Sequence, residues 1–268
     1  MMDRLLEICA LDGTSGDEGA VRDYIKSSIH ADKVITDNLG NLLVFKKGRK
    51  TPKNRIMFAA HMDEVGFMVT DITSDGFLRF GAVGGIDPRV VLGRAVRFGN
   101  GTRGVIGTKA VHQQSADERK KAPDFDALLI DIGAENAEEA GKRVSRGDCA
   151  VFDSDSFRFG SGFVKSKAID DRAGCLIMMD MINGGPEYDA WYAFTVQEEV
   201  GTPWSKGGCV HDRAGYRGSP RDNDRLRYRR DLRRQARMRA RQGLRSILHG
   251  QSNDLRPRAV PACKDHRG

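Results

Sequence analysis

Apolar positions in the first 200 residues fall into short segments of two different periods. Leu5 to Leu11 and roughly Glu18 to Ile29 repeat at helical spacing. Between them the turn-rich segment Gly13-Thr14-Ser15-Gly16-Asp17-Glu18 offers N-cap residues for the second helix. Val34 to Asp37 and Asn41 to Phe45 read as two strands joined around Leu39-Gly40. Arg55 to Ala60 is a short apolar run that fits a buried strand, and it ends on His61-Met62-Asp63-Glu64. From Val65 to about Phe163 short β-like runs alternate with glycine turns: Gly66 to Ile72, Phe77 to Phe80, Val90 to Phe98 and Gly104 to Gly107. This stretch reads as a compact β-rich unit interrupted by one helix near Ala137 to Val144. Asp170 to Met181 follows as a helix with an expected apolar face of Ala173, Leu176, Ile177 and Met181. Trp191 to Val196 is a second buried strand, ending on Gln197-Glu198-Glu199.

Two apolar strands more than 130 residues apart thus both terminate in residues of metal-ligand type. In α/β sheets, sites form at the carboxyl ends of strands. The pattern predicts an α/β domain built from residues 1–64 and 164–202, with the β-rich residues 65–163 inserted between its halves.

Charge changes this picture at Thr202. Residues 203–268 hold sixteen Arg and two Lys against six Asp and no Glu, a net +12; the whole chain is +7, which leaves −5 for residues 1–202. The basic tail would attract nucleic-acid phosphates non-specifically, but from Arg221 onward only Tyr228 could stack on a base. The tail is therefore expected to be accidental in its basicity and largely disordered. No apolar run approaches a membrane span, and Met1-Met2-Asp3-Arg4 does not open a signal peptide. Five widely spaced cysteines, Cys9, Cys149, Cys175, Cys209 and Cys263, include no CxxC pair and suit reduced thiols in the cytoplasm.

Three motifs carry candidate chemistry. His61-x-Asp63 pairs an imidazole with a carboxylate that could orient it. Asp170-Asp171-Arg172 places two repelling carboxylates side by side, a pair that needs a cation when buried. Glu198-Glu199 could supply one metal ligand and one general base. Taken singly, each has a commoner explanation: a surface hydrogen bond, a helix N-cap, a solvated strand end.

Their conjunction in this order is more specific. The strings "AAHMDEVGFMV", "KAIDDRAG" and "QEEVGT", with weaker matches in "DNLGNLLVFKKG" and "LLIDIGAENAEEA", resemble the tetrahedral and glutamyl-aminopeptidase family of dinuclear-zinc peptidases. Some members of that family have been labelled endoglucanases. The resemblance spans residues 1–202 and implies a zinc-peptidase-like mixed sheet flanked by helices, with an inserted barrel-like dimerisation domain. It implies two divalent ions, zinc or cobalt: His61 on one, Asp170 bridging both through a motif whose Asp170–Asp171 peptide is cis, and Glu199 on the other. Asp63 would orient His61, and Glu198 would act as base while a metal-bound hydroxide attacks the peptide. Short peptides trimmed at their N-terminus are the implied substrates, and a tetrahedral shell of twelve subunits the implied assembly.

The resemblance stops at Thr202. The family continues with Arg-Gly-Ala, and needs a further carboxylate about twenty residues on and a histidine near its C-terminus. Here Pro203-Trp204-Ser205-Lys206 follows. Back-translated and read one base later, Pro203 to Arg217 permits Arg-Gly-Ala-Lys-Ala-Ala-Ala-Tyr-Thr-Ile-Ala-Pro-Asp-Ile, close to the family's continuation. Arg221 to Arg229 similarly permits Glu-Thr-Thr-Thr-Ala-Ser-Asp-Thr. These readings lead to the expectation of a frameshift, a catalytic domain lacking its C-terminal part and an incompletely ligated, impaired site. The strand ending at Glu198 is expected to have an uncovered edge. The alternative is a non-catalytic remnant that assembles through the insert or binds polyanions through the tail. His211, His249 and His266 are assigned no ligand role.

Overall fold

The structure, a computed structural model, describes residues 2–109 and 123–201. The basic tail, the expected frameshift junction, Cys209 and Cys263 lie outside the described residues. Helices α1 (Met2–Ala10) and α2 (Gly19–Ser28) precede strands β1 (Lys33–Thr36), β2 (Leu42–Lys46) and β3 (Ile56–His61). Six further strands follow: β4 (Gly66–Ile72), β5 (Leu78–Val83), β6 (Ala95–Phe98), β7 (Arg103–Thr108), β8 (Leu128–Asp131) and β9 (Cys149–Phe152). Helix α3 (Ala137–Arg143) lies between the last two; its first turn is capped by Asn136, whose Oδ1 accepts the Glu139 N–H at 3.0 Å. The hairpin β10 (Phe157–Phe159) and β11 (Phe163–Lys165), helix α4 (Ile169–Asn183) and β12 (Ala190–Thr195) complete the described chain.

Two sheets organise these elements. The first runs β1-β2-β12-β3, antiparallel except for the β12–β3 pair, which is parallel with Thr195 opposite His61. Its strands alternate as period-two geometry requires. Leu42, Val44, Tyr192 and Phe194 face a core shared with Ile8, Ile25, Met179 and Ile182 of α1, α2 and α4. Leu43 and Ala193 pack on the opposite face with Ile35, Met57 and Trp191. Each fully buried aliphatic or aromatic side chain contributes on the order of 1.5–3 kcal/mol. The second sheet closes into a barrel, β4-β5-β8-β7-β6-β9, over residues 66–152. Its own core stacks Phe67 edge-on against Phe80 and Phe152, with centroids 5.2 and 5.0 Å apart. The α/β sheet, its helices and the closed barrel bear out the fold class read from the sequence.

Four local expectations are corrected. Val90 to Phe98 is not one strand. Pro88–Val90 forms a 3₁₀ turn capped by the Asp87 carboxylate, and β6 begins only at Ala95. Glu18 does not cap α2 through its side chain; its Oε1 accepts the N–H groups of Gly16 and, far away in sequence, Gln197. The strand leading to Glu198 has no free edge, because β12 is paired on both sides; among the described residues β3 takes the edge position. The buried residues of α4 are Arg172, Cys175, Leu176, Met178, Met179 and Ile182, while Ile177 is 53% exposed. An arginine on the inward face hides that stripe from an apolar count.

Arg172 is fully buried. Its Nε donates to the Met62 carbonyl at 2.6 Å and its Nη1 to the Ile8 carbonyl at 2.7 Å, so one side chain joins α4 to α1 and to the end of β3. Gly13 makes room for it: a Cβ there would lie 2.6 Å from Arg172 Nη2 and 2.9 Å from Val21 Cγ2. Between barrel and sheet, Arg97 on β6 donates to both oxygens of Asp12 at 2.8 and 2.9 Å.

Candidate active site

Because β3 and β12 run parallel in register, their carboxyl ends finish together. The Met62 N–H donates to the Thr195 carbonyl at 2.7 Å, and the two strands then diverge into the segments 63–64 and 196–199. Four successive amides of the second segment are each captured by a side-chain oxygen from elsewhere. Val196 N–H donates to Asn41 Oδ1 at 3.0 Å and Gln197 N–H to Glu18 Oε1 at 3.1 Å. Glu198 N–H and Glu199 N–H donate to the two oxygens of Asp63, each at 3.0 Å. This comb of acceptors holds Gln197 at φ 58°, a left-handed conformation that an unsupported glutamine rarely adopts.

Asp63 is the centre of the arrangement. It is fully buried and also accepts the Ser15 hydroxyl at 2.6 Å. His61 Nδ1 lies 3.1 Å from the Asp63 carbonyl and 3.4 Å from its Oδ1. That leaves Nε2 facing outward, 3.4 Å from Asp170 Oδ1. Asp170 reaches this point because α4 opens irregularly: Ala168 is left-handed, Asp170 and Asp171 are non-helical, and the Asp170–Asp171 peptide is cis. Its carboxylate is 94% exposed, open to anything entering from solvent. Of the sequence-predicted residues, His61, Asp63 and Asp170 therefore converge directly, and Glu198 and Glu199 are tied to them through their backbones.

Electrostatics follow from this crowding. Burial alone would raise Asp63, but the bonds from His61, Ser15 and the Glu199 and Glu198 amides hold its carboxyl at about 2. Burial alone would lower His61, yet its hydrogen bond to Asp63 and the charges of Asp63, Glu198 and Asp171 raise it to about 9. Burial pushes Glu199 up; the His61 charge pulls it down, and the Asp63, Glu198 and Asp170 carboxylates push it up further. Asp171 is likewise raised, first by burial and against the His61 charge. The cluster is short of positive charge.

Protonated His61 stabilises the metal-free fold because its folded value exceeds the ordinary 6.5. That contribution is complete below pH 6.5 and vanishes as pH rises through about 9. Ionised Asp63 stabilises above its ordinary 3.8, and the gain vanishes as pH falls through about 2. The two effects describe one pair, worth on the order of 2 kcal/mol. Urea midpoints of metal-free protein are expected to be highest between about pH 4 and 6.5 and to fall by pH 9; a flat profile would contradict the pairing.

The donor set fits a divalent ion in kind: an imidazole with one nitrogen held and the other directed outward, an open carboxylate opposite it, and surplus negative charge. Among the described residues no three His, Cys, Asp or Glu side chains form a group close enough to hold an ion. The convergent donors are the pair His61 and Asp170. Sequence reasoning missed Ser15, Glu18 and Asn41. Their signal is weak, a serine and an acid within a turn and an asparagine before a strand, and their partners lie 48 to 179 residues away.

An imidazole and carboxylates are thus gathered where two adjacent parallel strands end, the place where sites form in α/β sheets. Comparison with known proteins narrows this: the M42 glutamyl aminopeptidase family model matches residues 40–206, and the chain belongs to that family. A putative aminopeptidase of Acetivibrio thermocellus is 41% identical over 210 residues, covering 77% of this chain and 61% of that protein. Among solved structures, an aminopeptidase from the archaeon Desulfurococcus kamchatkensis superposes with a TM-score of 0.68 at 36% identity, over 75% of this chain and 57% of its own. The Pyrococcus horikoshii TET1 peptidase, described as assembling into a tetrahedron or a large octahedral shell, superposes with a TM-score of 0.65 at 38% identity, over 75% and 62%. The chain thus spans about three-fifths of the length of the curated relatives it matches.

Proposed function

We infer that residues 2–201 carry the first part of a metal-dependent aminopeptidase site, acting on the N-terminal residues of short peptides. The observation that carries this reading is Asp63, one buried carboxylate that receives the His61 ring and the amides of both Glu198 and Glu199. His61 and Asp170 would hold one ion, and Asp170 and Glu199 a second, zinc or cobalt. When bound, such ions polarise a scissile carbonyl and acidify water. The chain's own residues do the rest. Asp63 keeps the proton of His61 on Nδ1, so that Nε2 presents its lone pair. Glu198, anchored at its amide, accepts a proton from the attacking water at its carboxylate and passes it to the leaving amine nitrogen.

On this reading each ion would have two protein ligands among the described residues, where catalytic zinc usually has three. We therefore expect weak metal binding and slow turnover. Leucine- and glutamate-p-nitroanilide hydrolysis with added cobalt or zinc tests the reading. The expected result is low, metal-dependent activity that Glu198→Gln lowers a further ~10²–10⁴-fold. Activity untouched by that substitution would remove Glu198 from the mechanism.

Three further parts of the reading have separate support. The family match ends at residue 206, beside the change of charge at Thr202, which supports an out-of-frame tail. Resequencing across the Thr202–Pro203 codons tests it, and a reproducible uninterrupted frame would refute it. We take residues 65–163 as an insert for self-association, supported by the closed barrel and by the assembly described for the TET1 peptidase. Light scattering that found only monomer would count against it. A cytoplasmic setting is supported by the free thiols of Cys9, Cys149 and Cys175. Fractionation of expressing cells tests it.

A further inference from the structure

The convergence of His61 and Asp170 needs a cause, because the two lie on segments more than 100 residues apart. Neither side chain can supply it. Asp170 is almost wholly exposed, and His61 is oriented by Asp63 within its own segment. Arg172 and Cys175 tie the body of α4 to the main chain of Met62 and His61, and the residues that flank the two donors are joined by a buried ionic cluster just behind them. Lys167, three residues before Asp170, donates from Nζ to Glu64 Oε1 at 2.6 Å, and Glu64 lies three residues after His61. The Lys167 and Glu64 side chains are only 8% and 6% exposed.

The cluster is anchored on both sides. The Lys167 ammonium also donates to the Leu11 carbonyl at 2.7 Å and sits 3.5 Å from Asp12 Oδ1. Glu64 is fixed through its backbone, with its N–H donating to the Gly13 carbonyl at 2.9 Å and its carbonyl accepting from Ser15 N–H at 3.3 Å. Arg172 Nη2 approaches the same Glu64 oxygen at 3.7 Å. Asp12 is in turn gripped by Arg97 of the barrel. Lys167 is thus fully engaged with internal acceptors, and its ammonium is not offered to a substrate carboxylate.

The geometry points to Lys167 and Glu64 as a positioning pair that sets the separation of His61 Nε2 from Asp170 Oδ1, and so preorganises the first two ligands of the proposed metal site. A short, dry ammonium–carboxylate contact has one narrow optimum, unlike an exposed pair that tolerates many geometries. It fixes where the strand-end segment meets the opening of α4. The inference rests on the metal-site reading above, but the geometric half of its test does not.

The test uses the full chain. Lys167→Met removes the ammonium at similar length. Lys167→Met combined with Glu64→Gln removes both charges and so avoids a lone buried carboxylate, keeping a foldable molecule if the single variant fails. Lys167→Arg restores a cation. Cobalt(II) alone is titrated and followed by its absorption, with circular dichroism reporting the folded fraction. Lys167→Met is expected to weaken cobalt binding by roughly 10–100-fold. The double variant should be no worse than the single, because the two residues act as one unit, and Lys167→Arg should recover most of the loss. A merely structural pair would lower the urea midpoint and leave the affinity of folded molecules alone. Crystals of the metal-free double variant should show His61 Nε2 and Asp170 Oδ1 separated well beyond 3.4 Å. A folded double variant that keeps that separation and binds cobalt like the parent would overturn the assignment. If the parent itself takes up no cobalt, the metal reading fails, and the crystallographic distance alone decides the clamp.

Discussion

Replacing Asp63 with Asn is expected to cost the fold about 3 kcal/mol and to weaken divalent-metal binding by roughly 10–100-fold. The cause is a mismatch of donors and acceptors. Oδ1 accepts the Glu198 amide and faces His61 Nδ1; Oδ2 accepts the Ser15 hydroxyl and the Glu199 amide. All four groups present hydrogens to a carboxylate that is fully buried. An asparagine amide can offer one oxygen, so its NH₂ must confront the N–H of Glu198 or of Glu199 whichever way it is turned, and the Ser15 hydroxyl or the His61 ring must reverse its role to accept. Each donor left unsatisfied costs about 1–3 kcal/mol. The lost negative charge also releases His61, whose pKa should drop from about 9 toward 6.5. Urea unfolding, cobalt titration and imidazole NMR read the three consequences. Unchanged stability and an unchanged His61 titration in the Asp63→Asn variant would show that the contacts around Asp63 do not form.

The second large effect is expected at Arg172. Truncation to Ala removes two short bonds to main-chain carbonyls of Met62 and Ile8 and empties the space that Gly13 leaves for the guanidinium. It also takes one of two cations from Glu64, which is itself nearly buried. Breaking a buried ionic network in this way typically costs about 3–5 kcal/mol. For a domain whose total stability is on the order of 5–15 kcal/mol, that is a large fraction. Denaturant titration should show a much lower midpoint, and Arg172→Lys should recover little, because an ammonium cannot serve the Met62 and Ile8 carbonyls with the same fork. A midpoint within experimental scatter of the parent would mean that Arg172 does not hold the strand end against α4.

Parts of this architecture can be read from the chain, and parts cannot, for identifiable reasons. β3 and β12 are legible because both are short apolar runs ending in polar clusters. β4, β5 and β7 are legible because glycine turns bracket them. β8 to β11 are three or four residues each, and closure of the barrel and the β10–β11 turn, rather than local composition, select them. The inward face of α4 is misread because Arg172 sits on it, and its acceptors lie 110 and 164 residues away. His61, Asp63, Asp170, Glu198 and Glu199 stand out by residue type and order. What the sequence cannot display is the mode of their connection. Asp63 reaches Glu198 and Glu199 through their amides, contacts that carry no side-chain signature, and Asn41 and Glu18 complete the same comb from a loop and a helix start.

The decisive experiment is anomalous diffraction at the cobalt edge from crystals of the full chain grown with the ion. A peak is expected within about 2.0–2.2 Å of His61 Nε2 and of a carboxylate oxygen of Asp170, and a second between Asp170 and Glu199. A peak elsewhere on the molecule, with His61 Nε2 left uncoordinated, would refute the metal site proposed for this chain.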